Sequence, residues 1–343
     1  MRRLRGAAGE IRSKYMVHFG IIGTGIIAKK HIAAIGQAEH ASAEAVCDVN
    51  INAANQFARE HGVKKVYADY QELLSDPAVE AVSICTPSGT HGEIVKAAAR
   101  AGKHILCEKP IETTKAKIDD LIAVVESSGV KMQCVYQRRF LDGPQKAKEL
   151  LASGRMGRLL MASAYLKYYR TPEYYRSAGW RATWEYDGGG CLMNQGVHGI
   201  DLLTWLTGGI KRVRAITDTR FHHIPVEDSA AVIAEYQGGA IGVIEGSTCA
   251  QPGGATRIEL HCENGSICFC DNKPLRVTIR GETVEAASGT VGTADGHALL
   301  LEDLVRSIET GTPPAIGPRE ARKAIDAILA IYQASRENRE ILL

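Results

Sequence analysis

The stretch GIIGTGIIA, residues 20–28, decides the fold of the first half of the chain. An apolar run ends in a glycine-rich turn, and helical spacing begins directly after it. In this context Gly23 makes the tight turn, Gly25 lets backbone N–H groups approach a pyrophosphate, and the small Ala28 lets the helix pack against the strand. The helix N-terminus adds partial positive charge. We expect this turn to bind a dinucleotide through Gly23, Thr24, Gly25, Ile26 and Ile27.

Asp48 stands twenty residues after Ala28, at the end of the second predicted strand. A carboxylate there accepts hydrogen bonds from ribose hydroxyls and repels a 2'-phosphate, so NAD is favoured and NADP is less favoured. Val49, Asn50 and Ile51 supply no compensating cation. The alternative is that Asp48 is only a helix cap or turn residue.

Strands and helices alternate through the first 140 residues. Predicted strands cover 18–22, 43–47, 66–67, 81–85 and 104–107, and predicted helices cover 26–38, 53–61, 70–74 and 92–101. Short strands joined by helices imply right-handed βαβ units and a parallel sheet. We therefore assign residues 17–140 to an α/β, doubly wound Rossmann domain.

The pattern changes after residue 140. A helix at 144–152 precedes strand-like runs at 159–168, 213–221, 229–236, 240–248, 257–261 and 265–270, several of them joined by hairpin turns. Helical spacing returns at 197–206, 298–308 and 319–338. Residues 141–343 are therefore predicted to form an α+β domain with a large, mostly antiparallel open sheet. Residues 1–16 are predicted to be a disordered basic tail, with Met16 as an alternative start.

Composition excludes several partners. Lys and Arg total 41 against 39 for Asp and Glu, without the basic field that nucleic acid binding needs. No apolar run approaches the ~18 residues of a membrane helix. The odd count of nine cysteines indicates a reducing compartment, so we expect a cytoplasmic protein. Cys268 and Cys270 lack the second pair of a zinc site, and we expect no metal.

Polar residues follow the fourth and fifth strands at the carboxyl edge of the predicted sheet, where doubly wound folds bind their ligands. The fourth strand leads into CTPSGTH, residues 85–91, and the fifth into Glu108-Lys109-Pro110. A lysine before a proline is held on a rigid, cis-prone backbone. The residues expected to contact cofactor here are Thr86, Pro87, His91, Glu108 and Lys109, with Gln137 from the run YQRR.

A third motif, GGGCLMNQGVHGID, covers residues 188–201. If the segment is helical, Asn194, His198 and Asp201 share one face, and the triglycine before them suggests close approach of a ligand. The alternative for His198 is a satisfied core histidine.

Together the three motifs resemble those of the Gfo/Idh/MocA family, the relatives of glucose-fructose oxidoreductase and inositol dehydrogenase. The resemblance runs from about Val17 onward. It implies a Rossmann domain and a C-terminal domain whose open sheet packs on another subunit, so we expect a homodimer or homotetramer. It also implies hydride transfer between NAD(P) and a carbinol of a sugar, glycoside, sugar nucleotide or cyclitol.

By the same resemblance, Lys109 matches the lysine that orients the substrate hydroxyl, and His198 matches the acid/base histidine. Asn194 stands where inositol dehydrogenase-like members have aspartate. Because an amide cannot take a proton, proton transfer would fall to His198 or Lys109. An unperturbed histidine pKa suits a general base near neutral pH.

Four further residues are expected to bind substrate. Arg138 matches a position that often faces substrate in the family, although a domain-interface ion pair is an equal alternative. Tyr168 and Trp180 offer faces for stacking on a pyranose, or are ordinary sheet and loop aromatics. Asp201 completes this set.

The leading hypothesis is an NAD-dependent dehydrogenase acting on a ring hydroxyl, such as the one at C3, of a carbohydrate substrate. A cyclitol dehydrogenase is less favoured because of Asn194. Another alternative keeps NAD bound and cleaves a glycosidic bond without net redox chemistry. A non-catalytic, cofactor-sensing binding protein is the alternative from a different class.

Overall fold

The computed structural model describes residues 15–271, 275–286 and 296–343. The predicted basic tail lies outside these residues, apart from Tyr15 and Met16. No helix in the described ranges is both long enough and apolar enough to cross a membrane.

The first sheet is parallel, as predicted, with strand order β3-β2-β1-β4-β5-β6. Its elements in chain order are β1 Val17–Ile22, α1 Ala28–Gln37, β2 Ala41–Cys47, α2 Ile51–His61, β3 Lys65–Tyr67, α3 Tyr70–Ser75, β4 Ala81–Ile84, α4 His91–Arg100, β5 His104–Cys107, α5 Lys115–Ser128 and β6 Met132–Cys134. Helix α5 and strand β6 were not assigned from the sequence. The strand order reverses between β1 and β4, which opens a crevice at the carboxyl edge of the sheet.

The second sheet has nine described strands in the order β14-β13-β12-β11-β7-β10-β9-β8-β15. Its elements are α6 Asp142–Ala152, β7 Leu159–Lys167, α7 Pro172–Arg176, α8 Val197–Thr207, β8 Ile210–Asp218, β9 Ser229–Tyr236, β10 Ile241–Ser247, β11 Arg257–Cys262, β12 Gly265–Cys270, β13 Leu275–Ile279, β14 Glu282–Ala286, α9 Gly296–Thr310, α10 Pro318–Glu337 and β15 Ile341–Leu342. Of the pairings among these strands, β10 with β7 is parallel and the others are antiparallel. The predicted mixed architecture is confirmed.

The last two helices pack against the first domain, and α10 also joins it to the second sheet. Helix α9 packs against α1, and α10 packs against β8, α8 and α5. Gln133, in β6, donates to Asp303 in α9 at 2.9 Å and accepts from the backbone N–H of Ile316 at 2.9 Å. Helix α10 contacts both sheets, through β6 of the first and β8 and β15 of the second, whereas α9 contacts β5 and β6 of the first.

A buried ion pair ties the end of the first domain to the second. Arg139 donates from Nε and Nη2 to Asp201 at 2.8 and 2.6 Å, and from Nη1 to Glu320 at 2.8 Å. The Asp201 side chain is 1% exposed and both of its oxygens are engaged. The expectation that Asp201 contacts substrate is therefore wrong, because no free carboxylate oxygen faces a ligand.

The single helix expected to carry Asn194, His198 and Asp201 is interrupted, because His198 and Asp201 lie in α8 but Asn194 precedes it. Residues Cys191–Gly196 form a turn of π-helix before α8 begins. Hydrogen bonds in such a turn run from i to i+5, which changes the rotation per residue and removes the i, i+7 alignment.

Replacing Asp201 with Ala is expected to lower the free energy of unfolding by about 3 to 5 kcal/mol, because the buried Arg139 charge loses its main partner. Urea unfolding followed by circular dichroism measures the change. The control, Glu126→Ala, breaks an exposed ion pair with Arg319 and should leave the midpoint unchanged. Equal destabilisation by the two variants would contradict this role of Asp201.

Candidate active site

The glycine turn between β1 and α1 has the geometry that a phosphate cradle requires. Gly23 has φ +91°, and a Cβ there would lie 2.8 Å from the backbone carbonyl of Cys85. A Cβ on Gly25 would meet nothing within 4 Å. Gly23 is thus required by the turn itself, whereas Gly25 leaves open space in front of the helix N-terminus.

Asp48 is bonded to the same turn. One carboxylate oxygen accepts from the backbone N–H and the hydroxyl of Thr24 at 2.8 and 2.9 Å, and the other accepts from the N–H of Asn50 at 2.9 Å. Asn50, not Asp48, caps helix α2. Asp48 therefore belongs to the turn, with a negative charge at the position expected to meet the adenosine ribose.

Two residues expected to contact cofactor use their side chains inside the protein. The ring nitrogens of His91 lie 2.7 and 2.9 Å from the backbone oxygens of Pro110 and Thr86, so the side chain joins the ends of two strands. The Glu108 carboxylate is 2.9 Å from His31 Nε2 and accepts from the Lys109 backbone N–H. Both side chains are buried and bonded to other parts of the protein. The expected direct contact of these two side chains with the cofactor is therefore wrong, and they support the ends of the strands instead.

Thr86 and Pro87 belong to the turn that follows β4. The Thr86 hydroxyl accepts from the Thr90 hydroxyl at 2.8 Å, and Pro87 caps the turn.

Lys109 connects the two domains. It follows β5, its peptide bond to Pro110 is cis, and its Nζ donates to the backbone oxygen of Asn194 at 2.9 Å. Burial lowers the pKa of Lys109, although the Glu108 and Asp187 carboxylates oppose this effect. The ammonium uses one of its three donors here, which leaves two for a ligand.

The triglycine lies against protein, contrary to the expectation that a ligand approaches it. A Cβ on Gly189 would lie 2.2 Å from the Tyr332 hydroxyl, and one on Gly190 would lie 1.8 Å from the Glu227 backbone oxygen. The buried Glu227 carboxylate accepts from Gly190 N–H, Leu192 N–H and Tyr332 Oη at 2.8, 3.0 and 2.8 Å. These contacts fix the π-helical turn that carries Asn194.

His198 lies near Lys109 in an environment that disfavours its charged form. Burial lowers its pKa well below the usual value, and the positive charges of Lys109 and Arg138 add to this effect. The expectation of an unperturbed histidine is therefore wrong, and the ring is neutral at neutral pH. Its Nδ1 is buried and has no hydrogen-bond partner among the described residues.

The remaining expected substrate residues are arranged differently. Arg138 donates to Asp271 and to the Thr256 hydroxyl, each at 2.9 Å, which matches the interface ion pair rather than a free cation. Tyr168 Oη is 2.8 Å from the same Thr256 hydroxyl. The Trp180 ring stacks with the Arg181 guanidinium at 4.6 Å, and this contact does not bring it to Lys109 or His198.

His31, Glu108 and His297 form a cluster that the sequence analysis missed. Their potential ligand atoms lie within 4.8 Å of one another, as a metal site requires. However, His31 is already engaged at both ring nitrogens, by Glu108 and by the Ser83 hydroxyl at 2.6 Å. Against the effect of burial, Cys85 and Glu108 raise the pKa of His31 to about 10, and His31 lowers that of Glu108 to about 2. The arrangement therefore favours an ion pair between protonated His31 and the Glu108 carboxylate over a bound metal.

Asp187 was also missed, although it directly precedes the triglycine. Its carboxylate is buried and accepts from the Asn194 side-chain amide at 2.6 Å. Burial raises its pKa, while hydrogen bonds and the Lys109 charge oppose the shift. A lone aspartate beside glycines gives no sequence signal for this contact, because the π-helical turn creates it.

These residues fit a bound nicotinamide dinucleotide. The space before Gly25 suits a pyrophosphate, and the Asp48 carboxylate suits a ribose. Gln137 Oε1 is a buried acceptor without a partner in the described part of the chain, and the carboxamide of a nicotinamide would supply a donor. A Rossmann domain with Lys109 and His198 beside its ligand edge defines a nicotinamide-dependent oxidoreductase.

Comparison with known proteins agrees with this class. Residues 17–136 match the "Oxidoreductase family, NAD-binding Rossmann fold" and residues 145–268 match the "GFO/IDH/MocA C-terminal domain". The chain belongs to the Gfo/Idh/MocA family and is an NAD-binding oxidoreductase.

Three relatives illustrate the range of the family. Myo-inositol 2-dehydrogenase of Thermotoga maritima is 27% identical, with 95% of this chain and 98% of that protein covered. Trans-1,2-dihydrobenzene-1,2-diol dehydrogenase of Bos taurus is 30% identical, over 68% of this chain and 69% of that protein. The WlbA dehydrogenase of Bordetella pertussis, solved with NADH and UDP-GlcNAcA, has a TM-score of 0.86 and 29% identity, over 96% and 99% of the two chains.

We expect kcat/KM to be higher with NAD than with NADP, and Asp48→Ser to shift this ratio toward NADP by about tenfold or more. The reason is that a carboxylate about 4 Å from a 2'-phosphate costs roughly 1 to 4 kcal/mol. Steady-state kinetics with both cofactors measures the ratio. Asp48→Glu keeps the charge and should still reject NADP; a wild-type preference for NADP would show that Asp48 does not face the ribose.

Proposed function

We propose that this protein oxidises a ring carbinol, such as the one at C3, of a sugar or glycoside: the carbon transfers a hydride to NAD and its hydroxyl loses a proton. The observation that carries the proposal is the contact between Lys109 Nζ and the Asn194 backbone beside a neutral His198. The proposal is supported by the cation and amide that meet here and by a histidine that senses the Lys109 charge. NAD, when bound, supplies the hydride acceptor.

Lys109 acts on the substrate oxygen. Its two free donors can hold the reacting hydroxyl, and its positive charge stabilises the alkoxide that develops as the proton leaves. Because the side chain is largely removed from water, that charge acts at a lower effective dielectric than on the surface.

His198 takes the hydroxyl proton in this proposal. Its lowered pKa keeps the imidazole unprotonated at neutral pH, so a ring nitrogen is available as an acceptor without prior deprotonation. Asn194 cannot accept the proton at its amide, and it holds the substrate instead.

A sugar is favoured over a cyclitol for two reasons. Asn194 replaces the aspartate of inositol dehydrogenase-like members, and a structure 29% identical over nearly the whole chain contains a nucleotide sugar. The alternative of glycoside cleavage without net redox chemistry predicts product formation without accumulation of NADH.

The test is a panel of free sugars, glycosides, sugar acids, sugar nucleotides and inositols, assayed with NAD by NADH absorbance. At least one sugar derivative should give turnover. Lys109→Ala should lower kcat by about 10² to 10³, and His198→Ala by about 10² to 10⁴. In Lys109→Ala, loss of the neighbouring charge should raise the pKa of His198 and move the acidic limb of the pH profile to higher pH.

Lys96→Ala, which breaks a surface ion pair on α4, serves as the matched lysine control and should keep wild-type kcat. NAD affinity, measured by fluorescence titration, should survive in all variants because the glycine turn is unchanged. Turnover with inositols alone, product without NADH, or no turnover would each contradict the proposed reaction.

We also propose that the protein functions as a homodimer or homotetramer through the second sheet. Helices α8 and α10 cover one face of this sheet, whereas Met161, Ile216, Ile233 and Ile241 are 47, 66, 66 and 55% exposed on the other. Met161 pairs with Ile241 in register, and Ile233 pairs with Val243 on the next strand, so apolar side chains adjoin across β7, β10 and β9. A second copy of the chain would bury this apolar surface.

Light scattering should give at least twice the 37.0 kDa chain mass at micromolar concentration. Ile233→Glu, which places a charge in the middle of the apolar surface, should shift the mass toward the monomer. Gln56→Glu on the exposed side of α2 adds a similar charge elsewhere and should not. A monomeric wild type would disprove the assembly.

A further inference from the structure

Asp187 is a buried carboxylate that the reaction proposed above leaves without a role. The residue is 3% exposed and lies at the entrance to the triglycine. One oxygen accepts from the Ala182 backbone N–H at 2.7 Å, and the other accepts from Asn194 Nδ2 at 2.6 Å.

The chemistry of this contact fixes the orientation of the amide. An ionised carboxylate only accepts hydrogen bonds, so the –NH₂ group of Asn194 must face it. The reverse orientation would put two oxygens 2.6 Å apart in a buried site. Asn194 Oδ1 is therefore directed away from Asp187, and in the described part of the chain no donor lies within hydrogen-bond distance of it.

The loop that carries Asp187 is closed around the carboxylate. Ala182 has φ +55°, a left-handed conformation that is unfavourable for alanine, and its N–H is held by Asp187. The backbone N–H groups of Asp187 and Gly188 both donate to Thr183 O, at 3.0 and 3.1 Å. Such a conformation persists where the surroundings determine it, which places the carboxylate at one position.

We propose that Asp187 is a positioning residue that holds Asn194 Oδ1 toward the substrate as an obligatory acceptor, so that the site selects a sugar with a hydroxyl donor beside the reacting carbinol. The inference rests on the proposed function and specifies the substrate that the same site takes. Asn194 also holds Lys109 through its backbone oxygen at 2.9 Å. The Asn194 side chain thus binds the neighbouring hydroxyl, while the Asn194 backbone oxygen positions the Lys109 ammonium.

Exchanging the two side chains tests the pair. In the double variant Asp187→Asn/Asn194→Asp, the amide at position 187 can accept from Ala182 N–H and donate to the carboxylate at position 194, so both hydrogen bonds are retained. Asn194→Asp alone sets two carboxylates against each other, and one must bind a proton. We expect the single variant to lose about tenfold or more in kcat/KM and to melt at lower temperature, and the double variant to recover most of both losses.

Asp187→Asn alone tests the orientation. Two facing amides can bond in either direction, so Asn194 is no longer held in one orientation. We expect KM to rise about tenfold with kcat nearly unchanged. Discrimination is measured as the ratio of kcat/KM for the sugar to kcat/KM for its deoxy analogue, which lacks the neighbouring hydroxyl, and this ratio should fall by a similar factor. A residue that only maintained the fold would change the melting temperature without changing this discrimination.

Asp228→Asn is the control, because Asp228 is also buried and accepts from the backbone N–H groups of Arg220, Phe221 and His222. It should alter stability and leave discrimination intact. Unchanged KM and discrimination in Asp187→Asn, or a double variant no better than Asn194→Asp in melting temperature and kcat/KM, would overturn the inference. If the wild type turns over no member of the panel while the exchange still restores the melting temperature, the pairing stands and the proposed function fails.

Discussion

The hydrogen bond from Lys109 Nζ to the Asn194 backbone oxygen is the contact on which the site depends. Lys109 comes from the end of a strand in the first sheet, and Asn194 comes from the turn that leads into α8. A lysine removed from water needs partners for its charge, and here they are a carbonyl from the other domain and nearby carboxylates. Packing of the two domains therefore also determines the position of the Lys109 ammonium.

Buried charges around this contact are paired, which makes the framework rigid. Glu108 is held by His31, Asp201 by Arg139, and Glu227 by two backbone N–H groups and a tyrosine. Because an unpaired buried charge is costly, each pair specifies one arrangement of the elements that carry it. By contrast, Gln137 Oε1 and His198 Nδ1 are buried without a partner in the described chain, as expected for groups that await a ligand.

The charge distribution of the site follows from Asn194. The Asn194 amide donates to the Asp187 carboxylate, and the Asn194 backbone oxygen accepts from Lys109. The lowering of the Lys109 pKa by burial is opposed by the Glu108 and Asp187 carboxylates. An amide at position 194 and a lysine beside it suit the proposal that His198 accepts the substrate proton.

The sequence by itself determined the order along the chain of most elements of the first sheet, six of the nine described strands of the second, and most of their ends within a few residues. It did so because apolar periodicity and glycine turns act locally, as in β5 and β9. The glycine turn, Asp48, Lys109 and Asn194 were found in the same way, since each lies directly beside a strand or within a recognisable motif. Helices α5 and α7 and strands β6, β13, β14 and β15 were missed, because no motif marks them.

Only the tertiary structure decided which polar groups meet. Helical spacing predicted one shared face for Asn194, His198 and Asp201, but Asn194 lies in a π-helical turn before α8, and Arg139 binds Asp201. The pKa of His198 depends on Lys109 and Arg138, which are distant in sequence, and the contact between Asp187 and Asn194 depends on how the loop folds back. Local patterns specify elements, whereas burial and long-range contacts specify the charge state and the partners of each side chain.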